Sequence, residues 1–317
     1  MIDLSSNESP YPPSPNVTEA LSKDPGNLNR YTGVDEIRAL KQSLAEYCGS
    51  DPERVIPGPG TDYLLEKAIC RMSKGRDVVV MNPTTLRCIG SARYVGSRVV
   101  RKQLIPPAFR IDWTAFSSGT GLFLMEHPNN PTGQMLISRE ELKKLLKNDD
   151  NLVIVDEAGY EYSHQTFADL VPTCPNLAVT RTLDKAFGLA GLHISWMIGG
   201  DYFLKELKTA DGPISRLACR GALAAVEDRT YALDCAARTV LERDRLAGEL
   251  LQLGMEVFPS EANFLLVRTE QTDFALRLKE AGILISDLSH TWLPNFYRIT
   301  VGTSAENTTL VEAIGAF

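Results

Sequence analysis

The sequence predicts an α/β protein: a large domain with a mostly parallel sheet covered by helices on both faces, followed by a smaller α/β domain. Three observations support this fold class. Short, wholly apolar runs alternate with stretches of helical periodicity, as in a sheet that is buried on both faces. Polar residues directly follow three of these runs, at the strand ends where such sheets bind ligands. The spacing of strands and helices changes beyond Gly212, which indicates a second domain.

Length and composition indicate a globular protein. The 317 residues are enough for one large and one small domain. Hydrophobic residues make up 44% of the chain and charged residues 23%, so disorder is not indicated. No apolar run approaches the roughly 20 residues that span a bilayer. The first residues also lack the layout of a signal peptide, so we expect a cytoplasmic protein without a membrane partner.

The net charge and the cysteine positions argue against two further kinds of function, nucleic-acid binding and metal binding. The formal net charge of −7 disfavours a nucleic-acid partner, which would require a basic face. The six cysteines are scattered, with no CxxC pair and no histidine at metal-ligand spacing. We therefore expect reduced, mostly buried thiols and no metal site.

Residues 1–30 are predicted to form an extended arm. Prolines at positions 10, 12, 13 and 15 oppose a helix in this segment. After Tyr31-Thr32-Gly33, one face of an amphipathic helix carries apolar residues at helical spacing: Ile37, Leu40, Leu44 and Tyr47.

The turn Gly58-Pro59-Gly60-Thr61-Asp62 precedes a second predicted helix. Backbone N–H groups and the positive end of the dipole at a helix start suit a phosphate. The turn lacks the third glycine, the strand and the acidic residue of the dinucleotide-binding fingerprint. By itself this is a weak signal, because a Gly-Pro-Gly turn is a plain turn most of the time.

The central sheet is predicted from four apolar runs. A helix opened by the capping box Ser138 to Glu141 separates the second run from the third. The runs are Val78–Val80, Leu122–Met125, Leu152–Val155 and Leu177–Val179.

Three of these runs deliver polar residues at their carboxyl ends. Asn130 follows the second run, Asp156 ends the third, and Lys185 follows the fourth. A lone lysine is usually a solvated surface charge, whereas a buried one can attack a carbonyl carbon as a neutral amine. Because parallel strands end at one edge of the sheet, we expect the three side chains to converge on one site.

The C-terminal part predicts a smaller domain. A long helical region, roughly Ala218 to Leu253, leads to three strand-like runs, Val257-Phe258, Asn263–Val267 and Tyr297–Val301. We expect a large domain of residues 31–217, and a small domain of residues 218–317 joined by the arm of residues 1–30.

Four ordered motifs carry a family resemblance: Asn130-Pro131-Thr132-Gly133, Asp156-Glu157-Ala158, Lys185 to Gly191, and Arg298 with Gly302-Thr303. Together they resemble fold-type I pyridoxal-phosphate enzymes. More narrowly, the chain is similar to the histidinol-phosphate aminotransferase group and to threonine-phosphate decarboxylase. The resemblance runs from the arm at Ser6-Asn7 to the C-terminus, and it implies pyridoxal 5'-phosphate as the cofactor.

The resemblance implies roles for four residues. Lys185 would form the internal aldimine and move a proton, and Asp156 would pair with the pyridinium nitrogen; these two are the expected catalytic residues. Asn130 would hydrogen-bond the ring hydroxyl and also lie at the substrate. Arg298 would bind the substrate α-carboxylate as a bidentate fork.

The resemblance also implies a cofactor site shared between subunits. Gly60-Thr61-Asp62 corresponds to the phosphate cradle, and Tyr31 matches a tyrosine that reaches the neighbouring subunit's site, so a homodimer is expected. The full set of expected cofactor-binding residues is Gly60, Thr61, Asp62, Cys88, Asn130, Asp156, Tyr160, Thr182, Asp184, Lys185, His193 and Tyr31.

The sequence departs from the family pattern in the phosphate pocket. Asp184 and His193 stand where the family has Ser or Thr and Arg, both of which bind the cofactor phosphate. A carboxylate facing a phosphate is repelled by roughly 4 kcal/mol per charge pair at 4 Å with a dielectric of about 20. We therefore expect weaker phosphate binding unless Arg87, Arg181 or a bound cation compensates.

Three further departures affect the ring and the substrate. Cys88 takes the place of the stacking aromatic residue. Gly159 stands where a tyrosine is usual, although a shift of one residue would restore it as Tyr160. Ser286 replaces the arginine that binds a substrate phosphate, which argues against a phosphorylated substrate.

These departures leave three hypotheses. The first, which we favour, is an aminotransferase that moves an amino group between an amino acid or amine and a 2-oxo acid. The second is a decarboxylase of the threonine-phosphate type, which Ser286 opposes. The third is a paralogue that has kept the fold and lost catalysis. Joint retention of Asn130, Asp156, Lys185 and Arg298 favours catalysis, and the altered phosphate pocket favours its loss.

Overall fold

The computed structural model describes residues 1–23, 28–113, 120–207, 212–289 and 293–317. Strands and helices alternate along most of this length. The strands are β1 Ile2–Leu4, β2 Val55–Gly58, β3 Asp77–Asn82, β4 Val99–Gln103, β5 Gly121–Glu126, β6 Leu152–Asp156, β7 Leu177–Thr182, β8 Ser195–Gly199, β9 Glu256–Val257, β10 Phe264–Arg268, β11 Ile283–Asp287 and β12 Phe296–Thr300. The helices are α1 Pro15–Lys23, α2 Val34–Cys48, α3 Thr61–Met72, α4 Arg139–Leu146, α5 Tyr160–Ser163, α6 Asp201–Leu207, α7 Arg216–Glu227, α8 Arg229–Gln252, α9 Phe274–Glu280 and α10 Ser304–Gly315.

The larger sheet has seven strands in the order β2-β8-β7-β6-β5-β3-β4. All of its pairings are parallel except those of β8, which runs antiparallel to both neighbours. The four apolar runs form the central strands β3, β5, β6 and β7, as predicted. Strands β2, β4 and β8 were not predicted.

The register of the central strands aligns their polar ends. Glu126 on β5 pairs with Asp156 on β6, and Asp156 pairs with Thr180 on β7. Because these strands are parallel, the loops that follow them leave from the same edge of the sheet. This edge holds the candidate site.

The smaller sheet has five strands in the order β1-β11-β12-β10-β9. The N-terminal strand β1 lies parallel to β11, so the arm adds a strand to the C-terminal sheet. Within this sheet Ser286 on β11 lies directly opposite Arg298 on β12.

Two predictions about helices were wrong in detail. The arm contains helix α1, because Pro15 occupies its first position, where a missing N–H costs nothing. The long C-terminal helical region is two helices, α7 and α8, separated at Asp228. Asp228 departs from helical backbone angles there, and its carboxylate accepts a hydrogen bond from Ser14 Oγ at the start of α1.

Buried apolar clusters cover both faces of the larger sheet, and a third lies on the smaller one. Adjacent residues of a strand divide between the first two: Val79 faces one cluster, and Val80 the other. Helix α8 links the two sheets, since Ala236 packs in a large-sheet cluster and Leu250 in the small-sheet cluster. None of the described helices combines the length and apolarity needed to cross a membrane.

Candidate active site

The polar strand ends open into a cavity of about 200 Å³. It lies between the carboxyl edge of the larger sheet, the start of α3, the N-terminal arm and the strand β10. Eight residues singled out from the sequence line it: Thr61, Asp62, Asn130, Asp156, Thr182, Asp184, Lys185 and His193.

Lys185 is carried by the loop that connects β7 to β8. Apolar side chains anchor this loop, and Leu183, Phe187 and Leu189 are all buried. Leu183 N–H donates to Ile194 O at 2.9 Å, which closes the base of the loop. Gly188 has a φ of +69°, and an added Cβ would come within 3.1 Å of Tyr11 O, so a side chain is disfavoured. The loop therefore holds Lys185 at a fixed point of the sheet edge.

Lys185 is half-buried. Its Nζ donates weakly to Ser6 O on the N-terminal arm, at 3.5 Å. Burial lowers the pKa of Lys185, and Arg298 lowers it further, while Asp184 acts in the opposite direction. A lysine with a lowered pKa offers a larger fraction of neutral amine, which is the nucleophilic and basic form.

Asp156 lies deep in the cavity at the end of β6. Thr180 Oγ donates to Asp156 Oδ1 at 2.8 Å, and the backbone N–H of Ala158 also donates to this carboxylate. Burial raises the pKa of Asp156 to about 6, against the effect of the Thr180 hydrogen bond. The carboxylate is thus available to a cationic or N–H-bearing ring edge, whose charge would stabilise its ionised form.

Arg298 reaches the site from the smaller sheet and is 8% exposed. Its Nη1 donates to Asn130 Oδ1 at 2.7 Å, and its Nη2 donates to Ser5 O at 2.6 Å. The first bond fixes the orientation of the Asn130 amide, so that its NH₂ group remains as a donor. Burial lowers the pKa of Arg298 to about 10, which leaves the guanidinium charged at neutral pH.

The other end of the cavity is formed by the start of α3. Gly60 precedes the helix with a φ of +89°, and an added Cβ would lie 2.0 Å from His193 Nε2. Only glycine therefore allows the His193 ring to pack here. The opposite ring nitrogen, Nδ1, lies 2.6 Å from Asp184 Oδ2. Burial raises the pKa of Asp184, and the nearby His193 acts against this rise.

Several residues expected in the site lie elsewhere. Cys88 packs in an apolar cluster below the sheet edge, and Leu86 lines the cavity instead. Tyr160 turns away, with its ring 3.5 Å from the Arg181 guanidinium carbon, so Gly159 lines the cavity. Tyr31 is 98% exposed in the single chain.

The two arginines considered for the phosphate pocket do not line it either. Arg181 is 3% exposed and pairs with Glu157 at 3.1 Å, on the far side of the strand from Thr182. Arg87 is exposed and lies outside the cavity lining.

Sequence reasoning missed Glu126 and Asn7. Glu126 is buried, accepts a hydrogen bond from Thr84 Oγ at 2.7 Å, and has a pKa raised by burial to about 8. Asn7 is held by Thr300, whose Oγ accepts from the Asn7 N–H at 2.9 Å. A glutamate ending the apolar run Leu122–Met125 was the available signal for Glu126. The position of Asn7 depends on contacts with residues far along the chain.

Three larger cavities lie elsewhere on the described chain. One, of about 590 Å³, lies around Phe109 and Ser260, a second, of about 490 Å³, around Met255 and Phe274, and a third, of about 420 Å³, around Tyr31 and Ile214. None of the three is lined by a lysine or by an aspartate. We therefore place the candidate active site in the smaller cavity, where the ionisable groups converge.

The smaller cavity fits pyridoxal phosphate at both ends. Asp156, Asn130 and Lys185 present the groups that its ring, hydroxyl and aldehyde require. Arg298 Nε is a buried donor without a hydrogen-bond partner among the described residues, as in a site completed by an anionic ligand. Asp184 Oδ1 is also unpartnered among these residues, and its charge opposes a phosphate nearby. The start of α3, where His193 packs on Gly60, would offer backbone N–H groups to the phosphate.

Comparison with known proteins identifies the family of the chain. The family model for aminotransferase class I and II matches residues 1–314. Histidinol-phosphate aminotransferase 1 of Hydrogenovibrio crunogenus is 33% identical over 99% of this chain and 90% of its own length.

Two solved structures share the fold. The histidinol-phosphate aminotransferase of Clostridium acetobutylicum has a TM-score of 0.89 at 22% identity, covering 100% of this chain and 98% of its own. That of Sinorhizobium meliloti, solved with pyridoxal-5'-phosphate, has a TM-score of 0.87 at 23% identity, covering 99% and 90%. The chain therefore belongs to the aminotransferase class I and II family and is a pyridoxal-phosphate-dependent aminotransferase of fold type I.

Proposed function

We propose that the protein transfers an amino group between an unphosphorylated amino acid or amine and a 2-oxo acid, at the cavity around Lys185. As an aminotransferase it acts on small molecules. The observation that carries the proposal is the convergence of Asn130, Asp156 and Lys185 on one cavity at the edge of the larger sheet, with Arg298 of the smaller sheet bonded to Asn130.

The cofactor would be held mainly by residues at the carboxyl edge of the sheet. When bound, pyridoxal phosphate supplies an aldehyde that reacts with amines and a ring that accepts the electron pair released at the substrate α-carbon. Asp156 would keep the ring nitrogen protonated through its carboxylate. The Asn130 NH₂ group would donate to the ring hydroxyl, because its carbonyl oxygen already accepts from Arg298 at 2.7 Å.

Lys185 would serve as both attachment point and base. Burial favours its neutral amine, and the anchored loop keeps Nζ near the sheet edge. Once released by an incoming substrate amine, Lys185 Nζ would take the proton from the substrate α-carbon and return it at another atom. General base catalysis of this kind contributes about 10²–10⁴-fold to rates.

Arg298 would bind the substrate carboxylate. Its guanidinium presents parallel N–H groups that match a carboxylate, and the Nη2 bond to Ser5 O would open on binding. Ser286, opposite Arg298 in the small sheet, supplies no positive charge for a second anionic group. These features support a substrate with one carboxylate or none, and without a phosphate.

A donor screen tests this function. The holoenzyme would be incubated with a panel of amino acids and amines, histidinol and histidinol phosphate among them, together with a 2-oxo acid acceptor. We expect formation of a new amino acid from the acceptor, with histidinol phosphate no better than unphosphorylated donors. Release of carbon dioxide without amino transfer would instead support the decarboxylase hypothesis.

We further propose a cytoplasmic homodimer with shared active sites. Exposed apolar side chains cluster around Tyr31, which lies at the surface: Leu28 is 62% and Val34 is 75% exposed. Such a patch is typical of a subunit interface, and it would bring Tyr31 to the neighbouring cavity. The six free cysteines suit a reducing compartment.

A further inference from the structure

Glu126 is a buried carboxyl group of the cavity that the proposed function does not use. It ends β5 opposite Asp156 on the parallel strand β6, and both residues line the cavity. Glu126 is 5% exposed. Burial raises the pKa of Glu126 to about 8, and the carboxylate of Asp156 adds to this rise. An apolar side chain would fill such a place at a lower desolvation cost, so the hydrogen bonds that Glu126 accepts need an account.

The first of these hydrogen bonds hold the loop that follows β3. Thr84 Oγ donates to Glu126 Oε2 at 2.7 Å, and the backbone N–H of Thr85 also donates to this carboxyl group. The Thr84 hydroxyl in turn accepts from the Leu86 N–H at 3.1 Å. Because the hydroxyl gives its single proton to Glu126, its lone pairs are left for the Leu86 N–H. The two bonds therefore set the position of Leu86, which lines the cavity.

The same oxygen of Glu126 also holds the loop that follows β5. The buried Asn129 donates from Nδ2 to Glu126 Oε2 at 3.3 Å and to Pro83 O at 3.3 Å. Asn129 Oδ1 accepts from the Thr132 hydroxyl at 2.7 Å and from the Thr132 N–H at 3.3 Å. These bonds close the turn that contains Asn130. Glu126 thus joins the loop after β3 to the turn that presents Asn130 to the cavity.

Leu86 offers an apolar contact to a flat ring. The faces of a bound heteroaromatic ring pack on apolar side chains, while polar groups such as Asp156 and Asn130 meet its edge. Cys88, at the position expected for a stacking aromatic residue, packs in an apolar cluster outside the cavity lining, whereas Leu86 lines the cavity. A leucine makes fewer contacts with a ring than a stacked aromatic residue does. Its effect on the ring therefore depends on the loop that carries it.

We propose that Glu126 and Thr84 are positioning residues, which together hold Leu86 against one face of the cofactor ring and Asn130 at the ring hydroxyl. The inference rests on the proposed function, because it assumes that the cavity binds this cofactor. In this role Glu126 and Thr84 act through Leu86 and Asn130, and not on the reacting atoms.

The test measures how firmly the ring is held. Pyridoxal phosphate is achiral, so its visible circular dichroism arises only when the protein fixes the ring in one orientation. The ratio of this ellipticity to the absorbance at cofactor saturation reports ring orientation, independently of occupancy and of protein stability. Calorimetry with 4'-deoxypyridoxine 5'-phosphate, which lacks the aldehyde and cannot condense with Lys185, gives the dissociation constant of the ring and phosphate alone.

Thr84 allows a matched pair of substitutions. Thr84→Val removes the hydroxyl at nearly constant volume, and Thr84→Ser keeps it. We expect Thr84→Val to lower the ellipticity ratio about twofold or more and to raise the dissociation constant about tenfold, because both hydrogen bonds of the hydroxyl are lost. Thr84→Ser should match the parent protein. Thr239→Val, which removes a buried threonine hydroxyl from α8 outside the cavity lining, is the control and should also match it.

Glu126 is tested by two further substitutions. At pH 7 its carboxyl group is mostly protonated, so Glu126→Gln keeps a neutral side chain of the same shape with an acceptor oxygen. We expect Glu126→Gln to stay within about threefold of the parent dissociation constant, and Glu126→Ala to behave as Thr84→Val does. Leu86→Ala, at a half-buried position, removes the ring contact itself and tests the inference even if the other variants do not fold.

The outcomes separate this inference from the proposed function. An ellipticity ratio and a dissociation constant equal to those of the parent in Thr84→Val and Glu126→Ala, or in Leu86→Ala, would overturn the inference alone, because the cofactor would still be bound. A parent protein that shows no cofactor band and binds neither ligand would overturn the proposed function as well.

Discussion

The buried carboxyl group of Asp156 affects the stability of the cofactor-free protein. Its pKa is raised by burial from 3.8 to about 6, so the cofactor-free protein holds this carboxyl protonated below about pH 6. The stabilisation that the protonated Asp156 carboxyl gives the folded protein is fully present below about pH 4 and is lost as the pH rises through 6. The same burial makes the carboxylate ready to pair with a protonated ring nitrogen.

The substitution Asp156→Asn should therefore stabilise the cofactor-free protein at pH 8, by about 1–3 kcal/mol, and have no such effect at pH 4. Urea unfolding at both pH values measures this. Cofactor binding should weaken at least tenfold in the same variant. Asp77→Asn is the matched control with the opposite sign, because hydrogen bonding to Arg98 lowers the pKa of Asp77. An Asp156→Asn protein less stable than the parent at pH 8 would contradict this account.

Replacing Arg298 by lysine tests its role in substrate binding. Lys at this position keeps the charge but loses the bidentate fork and the bond to Asn130. We expect Arg298→Lys to raise KM for carboxylate-bearing substrates about 10–100-fold while leaving cofactor affinity within about threefold. Arg268→Lys, at a half-buried, ion-paired arginine on the neighbouring strand β10, is the control and should leave both values unchanged. An equal effect of the two substitutions on KM would show that Arg298 does not bind the substrate.

Among individual site residues, those that follow the ends of strands could be predicted from the sequence. Asn130, Asp156 and Lys185 could be grouped because parallel strands end at one edge. The pairing of Asp184 with His193 could not be foreseen, since it depends on the backbone angles of the loop between them. Likewise, the contact between Arg298 and Asn130 spans 168 positions and requires both sheets to be in place.

Among the elements, the apolar central strands were predictable and the edge elements were not. Strands β3, β5, β6 and β7 carry uninterrupted apolar runs, whereas β4 contains Arg101 and Lys102. Helix α1 was missed because four prolines in the arm suggested extended chain, although one of them starts the helix. The break between α7 and α8 has no proline or glycine to mark it.

The junction at Ser14 links the arm to this break. Ser14 Oγ accepts from the Asn16 N–H at 3.2 Å and donates to Asp228, which is how α1 is attached to the α7–α8 corner. Ser14→Ala should lower the free energy of unfolding by about 1–2 kcal/mol, because a helix cap and a hydrogen bond to a carboxylate are both lost. Ser22→Ala, at an exposed position of the same helix, should change it by less than about 0.5 kcal/mol. Thermal unfolding of the two variants measures this difference. Equal shifts in Tm would show that the Ser14 junction does not stabilise the protein.

The division into domains remains a proposal. We propose residues 31–217 as the large domain, and residues 1–30 with 218–317 as the small one. Because α8 packs against both sheets, it belongs in part to both proposed domains. Hydrogen exchange tests this, since independent opening of the two sets of residues supports the division and a single cooperative opening opposes it.

For the whole molecule, the central structural prediction is that subunits share active sites. In mixed dimers of Lys185→Ala and Tyr31→Ala chains, the site that keeps Lys185 would receive an intact Tyr31 from the partner. We expect equal mixing to restore function at about a quarter of all sites, although each variant alone has little activity. Activity of the mixture equal to the average of the two variants would mean that Tyr31 serves its own chain, or that no dimer forms.

The most direct test of the account is the visible absorption spectrum during titration with pyridoxal phosphate. We predict a saturable cofactor band in the parent protein and in Lys205→Ala, where an exposed lysine on α6 is removed. The band should be absent in Lys185→Ala. A band of equal intensity in Lys185→Ala, or no band in the parent at any cofactor concentration, would contradict the assignment of Lys185 and favour a fold that has lost its catalytic function.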